Sequence, residues 1–208
     1  MPAELTLRTA DAISLEAQWN APDGEARAVA VLCHPHPLYG GSMHAGVIDE
    51  LFWALPAQGV AALRFNFRGV EGSGGEHGKG VAERQDVAAA VAEAAQRAQG
   101  APVFVAAWSF GADVSLCTPL AELAGWFLIA PPLSVQPLAE MAEIAADPRP
   151  KRLAQPEHDQ FNPPPKAAAA TAGWTNTEVA PVPGADHFLM GHGSEVIRLA
   201  VDFAGRLS

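Results

Sequence analysis

Positive charge is scarce in this chain. Lysine and arginine together number 13 against 23 aspartates and glutamates, a formal net charge of −10 at pH 7. Nucleic acid and anionic membranes both demand a positive face, so neither is expected as a partner. Cysteine is nearly absent as well. Cys33 and Cys117 are the two present, too few for a disulfide framework. Both fall in apolar or helical runs, which reads as buried free thiols and fits a reducing cytoplasm. No apolar run reaches the ~18–20 residues of a membrane span. The opening "MPAELTLRTADAIS" has neither a basic nor an apolar leader region, so no secretory signal is expected. No internal repeat and no long linker break up the 208 residues, a length that suits one α/β domain.

What is present is an alternation of strands and helices. "AELTLRT" and "ISLEAQWNAP" alternate apolar and polar residues and predict two strands with one solvated face. "AVAVLCH", "VAALRFNF", "PVFVAAW" and "GWFLIAPPL" are apolar runs of strand length, as in strands covered on both faces. Helical spacing recurs in "MHAGVIDELFWALPAQG", "VAERQDVAAAVAEAAQRAQG", "FGADVSLCTPLAEL" and "SEVIRLAVDFAGRL". "KRLAQPEHD" predicts a short, poorly apolar strand, and "WTNTEVAPVPGADH" holds the last one. Two leading strands followed by strand–helix alternation predict a mostly parallel α/β sheet with helices on both faces. Ligands in such sheets bind at the carboxyl ends of the strands. The polar loops "HPHPLYGGS", "RGVEGSGGEHG", "WSFGAD", "PEHDQFNPP" and "PGADHF" each follow a strand, so a parallel sheet would gather them on one rim.

Ser109 stands at the seam between the strand "PVFVAAW" and the next helix. A helix N-cap is one reading of such a serine. The other is a nucleophile on a sharp strand-to-helix turn, which needs small residues two before and two after it. Ala107 and Gly111 occupy those places, giving the G-x-S-x-G elbow with alanine for the first glycine. A serine hydroxyl needs a base, and the base needs an orienting acid. His187 follows the last predicted strand and Asp159 the one before, in the chain order Ser, Asp, His of this elbow type. Glu157 and Asp186 compete with Asp159. Asp186 is discounted because neighbours in sequence rarely orient each other's side chains.

"HPHPLYGGSMH", "LRFNFRGVEGSG", "WSFGAD" and "GADHF" together resemble the α/β-hydrolase superfamily, in its small lidless bacterial branch of dienelactone-hydrolase-like serine esterases. The resemblance spans essentially the whole chain. It implies one α/β-hydrolase domain over residues 1–208, with an eight-stranded sheet whose second strand runs antiparallel. It also implies a catalytic triad carried onto Ser109, Asp159 and His187. One oxyanion donor would be the N–H of Phe110, next to the nucleophile. The second would come from "HPHPLYGG", where Pro35 and Pro37 have no N–H to give. The family's H-G-x-P loop puts that donor at the third position, His36, with Leu38 in reserve.

His34 and His36 have no third ligand at fitting spacing, so no metal is expected. The glycine-rich loop lacks both phosphate-binding signatures, and no cofactor is expected. Arg68 reads as a structural ion-pair residue, with Asp86 as its partner. "APPLSVQPLAEMAEIAADPRP" is too short for a lid, so the site should be open, with Trp108, Phe188 and Tyr39 as pocket walls. The expected function is hydrolysis of carboxylic esters or thioesters of small or accessible acyl groups. A catalytically weak scaffold that only binds a ligand, or a peptidase or acyltransferase with the same triad, are the alternatives.

Overall fold

The computed structural model describes residues 2–207. Eight strands form one sheet: β1 (Ala3–Arg8), β2 (Ser14–Asn20), β3 (Ala28–Cys33), β4 (Val60–Phe65), β5 (Val103–Trp108), β6 (Leu123–Ile129), β7 (Lys151–Pro156) and β8 (Thr177–Val182). Their order is β1-β2-β4-β3-β5-β6-β7-β8. Only β2 is antiparallel to its neighbours; the β3–β4 pair and every pair from β3 to β8 are parallel. The helices are α1 (Gly46–Ala54), α2 (Glu83–Arg97), α3 (Phe110–Leu116), α4 (Ala142–Ala146), α5 (Pro164–Ala170) and α6 (Gly193–Ala204).

The period of two in β3 divides its side chains between two cores. Val29, Val31 and Cys33 face one core, which α2 and α3 cover through Val87, Val91, Val114 and Leu116. Ala28, Ala30 and Leu32 face the other, covered by α1 and α6 through Ile48, Phe52, Val196 and Phe203. All six residues of β3, β4 and β5 are buried. Each large apolar side chain so covered contributes about 1.5–3 kcal/mol.

Local chemistry sets several boundaries. α1 gives way at Pro56 to a single 3₁₀ turn, closed by Gly59 at φ +73°. α2 begins at Glu83, whose carboxylate accepts the N–H groups of Gly78 and Gly80 (2.7 and 2.8 Å) and ties the preceding turn to the helix. β6 stops at Ile129, ahead of Pro131 and Pro132, which have no N–H for a ladder. Residues 130–150 hold one 3₁₀ turn and α4, so no lid covers the sheet.

β7 explains its own weak apolar signal. Every residue in it is buried, and its charges are matched inside the protein. Lys151 Nζ donates to the carbonyls of Asp147 and Arg149 (2.7 and 2.8 Å) beside the Trp126 ring. Arg152 bridges Asp202 on α6 and Glu178 on β8 (2.7 and 2.8 Å). A buried charge is tolerated when it is paired and fully hydrogen-bonded. Arg68 is held the same way, by Asp86 (2.7 Å) and Asp11 (2.8 Å).

β3 and β5 lie side by side, yet α1, which follows β3, packs on the opposite face from α3, which follows β5. The chains leaving these two strands diverge and open a crevice at their carboxyl ends, the usual ligand position in an open α/β sheet.

Candidate active site

Ser109 is the residue between β5 and α3. Its backbone has φ +52° and ψ −113°, a conformation that costs a non-glycine residue about 1–3 kcal/mol. Three hydrogen bonds hold it there. Its N–H donates to the Ile129 carbonyl (2.9 Å), and its own carbonyl accepts from Ala112 and Asp113 (3.0 and 3.2 Å). Gly111 allows the turn to close: a Cβ there would lie 2.7 Å from the His34 carbonyl oxygen and 2.8 Å from Cys33. The Ser109 side chain makes no capping bond to α3. The capping reading of this serine is therefore set aside, and its hydroxyl is left for another partner.

That partner is His187. Ser109 Oγ and His187 Nε2 are 2.9 Å apart, and His187 Nδ1 lies 2.9 Å from Asp159 Oδ2. Because an ionised carboxylate only accepts, Nδ1 carries the ring proton and Nε2 is left to accept from the serine. Asp159 and His187 are buried, at 3% and 6% exposure. Asp159 Oδ1 accepts the N–H groups of Phe161 and Asn162 (2.8 and 3.1 Å), and Oδ2 also accepts from Gln155 (3.1 Å). Burial pushes this carboxyl's pKa up, but the His187 bond and the two backbone N–H groups outweigh it and hold the pKa below the usual value. The imidazole is fixed from two further directions. Phe161 meets it edge-on at 4.6 Å, and Trp108 Nε1 donates to the His187 carbonyl (3.3 Å).

The competing acids are engaged elsewhere. Glu157 accepts the Gly184 N–H (2.8 Å), and Asp186 accepts the N–H of Phe188 (2.9 Å).

Two backbone N–H groups near Ser109 have no acceptor among the described residues. Phe110 opens α3, where the first N–H to bond back to Ser109 is that of Ala112. Among the described residues none accepts from the His36 N–H either. The Leu38 N–H is engaged with His36 Nδ1 (3.2 Å), because His36 caps the 3₁₀ turn Pro37–Tyr39. Burial and the neighbouring His77 lower the His36 pKa, which keeps Nδ1 able to accept. His34 is fully buried with both ring nitrogens used. Nδ1–H donates to the Pro35 carbonyl (2.6 Å) and Nε2 accepts the Phe67 N–H (3.0 Å).

Ser109 and His187 open into a cavity of about 630 Å³, walled by Tyr39, Trp108, Val135, Phe161 and Phe188. The part of its wall formed by Ser134 and Val135 depends on Asp113, which accepts the N–H groups of Leu133, Ser134 and Val135 (3.0, 2.8 and 2.9 Å). Burial pushes the Asp113 pKa up to about 6 against those three bonds. Sequence reasoning passed over Gln155, Phe161, Asn162 and Asp113. The rigid "QFNPPP" after Asp159 hinted at the middle two. Nothing local marks Asp113 as more than a helix residue.

A hydrolase family model, described as serine aminopeptidase, S33, matches residues 24–171, well over half of the chain. The chain belongs to this α/β-hydrolase family. The match includes Ser109 and Asp159 and ends before His187. Two solved relatives of this hydrolase share its fold from end to end. An alpha-beta serine hydrolase homologue from Coxiella burnetii is 28% identical with a TM-score of 0.82, covering 97% of this chain and 96% of that one. A serine hydrolase without lid from Xanthomonas campestris is 25% identical with a TM-score of 0.84, covering 99% and 94%. An uncharacterized protein of Rickettsia prowazekii is 32% identical over 136 residues, 64% of this chain. The match spans 57% of that relative's length.

Proposed function

We propose that this hydrolase cleaves carboxylic esters or thioesters of small molecules through an acyl-enzyme on Ser109. The observation that carries the reading is the unbroken contact Ser109 Oγ–His187 Nε2–Asp159 Oδ2, with both separations 2.9 Å, at a serine strained out toward an open cavity. Ser109 Oγ attacks the carbonyl carbon while its proton passes to His187 Nε2. Asp159 keeps Nδ1 protonated and stabilises the imidazolium. Charge building on the carbonyl oxygen is met by the unpaired N–H groups of Phe110 and His36, the two oxyanion donors in this reading. Collapse breaks the bond to the leaving group, which takes the proton from Nε2. Water then attacks the acyl-enzyme with His187 again as base, returning the acid and free Ser109.

One domain over residues 1–208 and a cytoplasmic location complete the proposal. The location is supported by two buried free thiols. Among the described residues, no helix is long and apolar enough to cross a membrane.

Ser109→Ala tests the mechanism. It should lower turnover of p-nitrophenyl acetate by about 10⁴-fold or more, with circular dichroism and the urea midpoint unchanged or slightly raised. Turnover retained in a folded variant would rule out Ser109 as nucleophile.

A further inference from the structure

The cavity's chemistry narrows the substrate. Among the residues that line it there is no Asp, Glu, Lys or Arg side chain. The polar side-chain groups it offers are Ser109, His187, His36, Ser134 and the Tyr39 hydroxyl; Ser109 and His187 are engaged with each other, and the Trp108 Nε1–H is spent on the His187 carbonyl. The rest is aromatic or aliphatic. Its mouth is ringed by large apolar side chains left open to water: Tyr39 (86% exposed), Phe161 (51%) and Phe188 (54%). Leu38 and Met190 extend this collar along the same two loops.

The buried charges behind the cavity are committed. Asp159 uses both oxygens on His187, Gln155, Phe161 and Asn162. Asp113 is fully buried behind residues 133–135 and spends both oxygens on their N–H groups. Arg68 is bound by Asp11 and Asp86, and Arg84 by Glu140. A carboxylate or an ammonium entering the cavity would lose water and find no opposite charge on its walls. An aromatic or branched apolar group would cover the collar and take its apolar surface out of water, which favours binding. A volume of about 630 Å³ lies within the ~300–1,000 Å³ of sites that hold ligands much larger than an acetyl group.

Resting on the serine-hydrolase reading above, we infer that the substrate is an uncharged ester or thioester with a bulky aromatic or branched apolar group beside the carbonyl. The site rejects charged acyl groups, including the α-ammonium of a free peptide amino terminus. An enzyme that trims amino termini must pair that ammonium with a carboxylate. Among the described residues no carboxylate lines this cavity, so the chain departs from the activity in its family's description.

The test holds the leaving group constant. kcat/KM is measured for p-nitrophenyl esters of 3-phenylpropionate, of phenylalanine, which adds only the ammonium, and of 3-(4-carboxyphenyl)propionate, which adds only a carboxylate. Each value is divided by the ester's spontaneous hydrolysis rate. The neutral ester should lead both charged ones by about tenfold or more. Phe188→Ala should lower the phenylpropionyl value about tenfold and the acetyl value by less. Ser109 labelling by a fluorophosphonate, together with equal or faster cleavage of a charged ester, would overturn the substrate class alone. Absence of both labelling and turnover would overturn the hydrolase mechanism and this inference with it. A loss on Phe188→Ala that is uniform across the esters would remove Phe188 from the binding surface.

Discussion

His34 shows how one buried side chain can act on chemistry that it does not touch. The Pro35 carbonyl and the His36 N–H are two ends of the same planar peptide unit, so fixing one aims the other. The bond from His34 Nδ1 to that carbonyl (2.6 Å) therefore sets where the His36 N–H points. His34→Gln should lower kcat about tenfold or more by misaiming a donor, with KM changed much less. The same residue marks the pH response. Burial lowers its pKa from 6.5 to about 4, opposed by the Pro35 carbonyl. The unfolded chain takes up a proton on this ring below pH 6.5, while the folded chain refuses it until about pH 4. More protons are then bound to the unfolded state through that window, so stability falls as pH falls, by at most about 3 kcal/mol. Urea midpoints between pH 6.5 and 4 should drop less steeply in His34→Gln, which cannot gain the charge. An identical slope in the variant would assign the acid sensitivity to other groups.

The junction of β5 and α3 does its work through close approach. Gly111 abuts backbone atoms of Cys33 and His34 at the end of β3. That contact sets how far the Phe110 N–H, at the start of α3, stands from the His36 N–H on the neighbouring loop. Gly111→Ala would force backbone to move, because no flexible side-chain tip is there to yield. It should cost about 1–3 kcal/mol of stability and depress kcat, read by urea unfolding and p-nitrophenyl acetate turnover. Wild-type stability with wild-type kcat would show that the helix does not need this fit. Asp113, on the same helix, anchors residues 133–135 through three N–H bonds. Asp113→Asn keeps one accepting oxygen and turns an amide NH₂ against the other N–H groups. It should cost about 1–3 kcal/mol and open the cavity wall to faster hydrogen exchange at Leu133–Val135.

Over the whole molecule, a net charge of −10 surrounds a cavity without charged side chains. The field of the protein then adds long-range repulsion of anionic substrates to the local rejection inside the cavity. Salt screens the first and leaves the second nearly untouched, since the Debye length shrinks to about 10 Å at 0.1 M and about 3 Å at 1 M. The kcat/KM for the carboxylated ester should therefore rise several-fold from 0.01 to 0.3 M sodium chloride, while that for its neutral counterpart stays flat. A flat response from both would confine the selectivity to the cavity.

The strand–helix alternation was legible because side-chain period and turn residues act within a few positions, as at Pro56–Gly59 or the apolar run of β3. The same local chemistry singled out the serine on its seam and the late aspartate and histidine. β7 read poorly because the charge of Arg152 is neutralised by Glu178 and Asp202, partners no local window includes. Composition, element order and the identity of Ser109, Asp159 and His187 as candidates belong to the sequence by itself. The fold alone decided that Asp159, not Glu157 or Asp186, meets the imidazole. It also decided that the His36 N–H is free while that of Leu38 is spent, and that Asp113 props the cavity wall. The physical reason is distance along the chain: Ser109 and His187 are 78 residues apart, and His187 and Asp159 are 28 apart. Contacts of that separation are set by how the sheet twists and packs, which no short stretch of residues encodes.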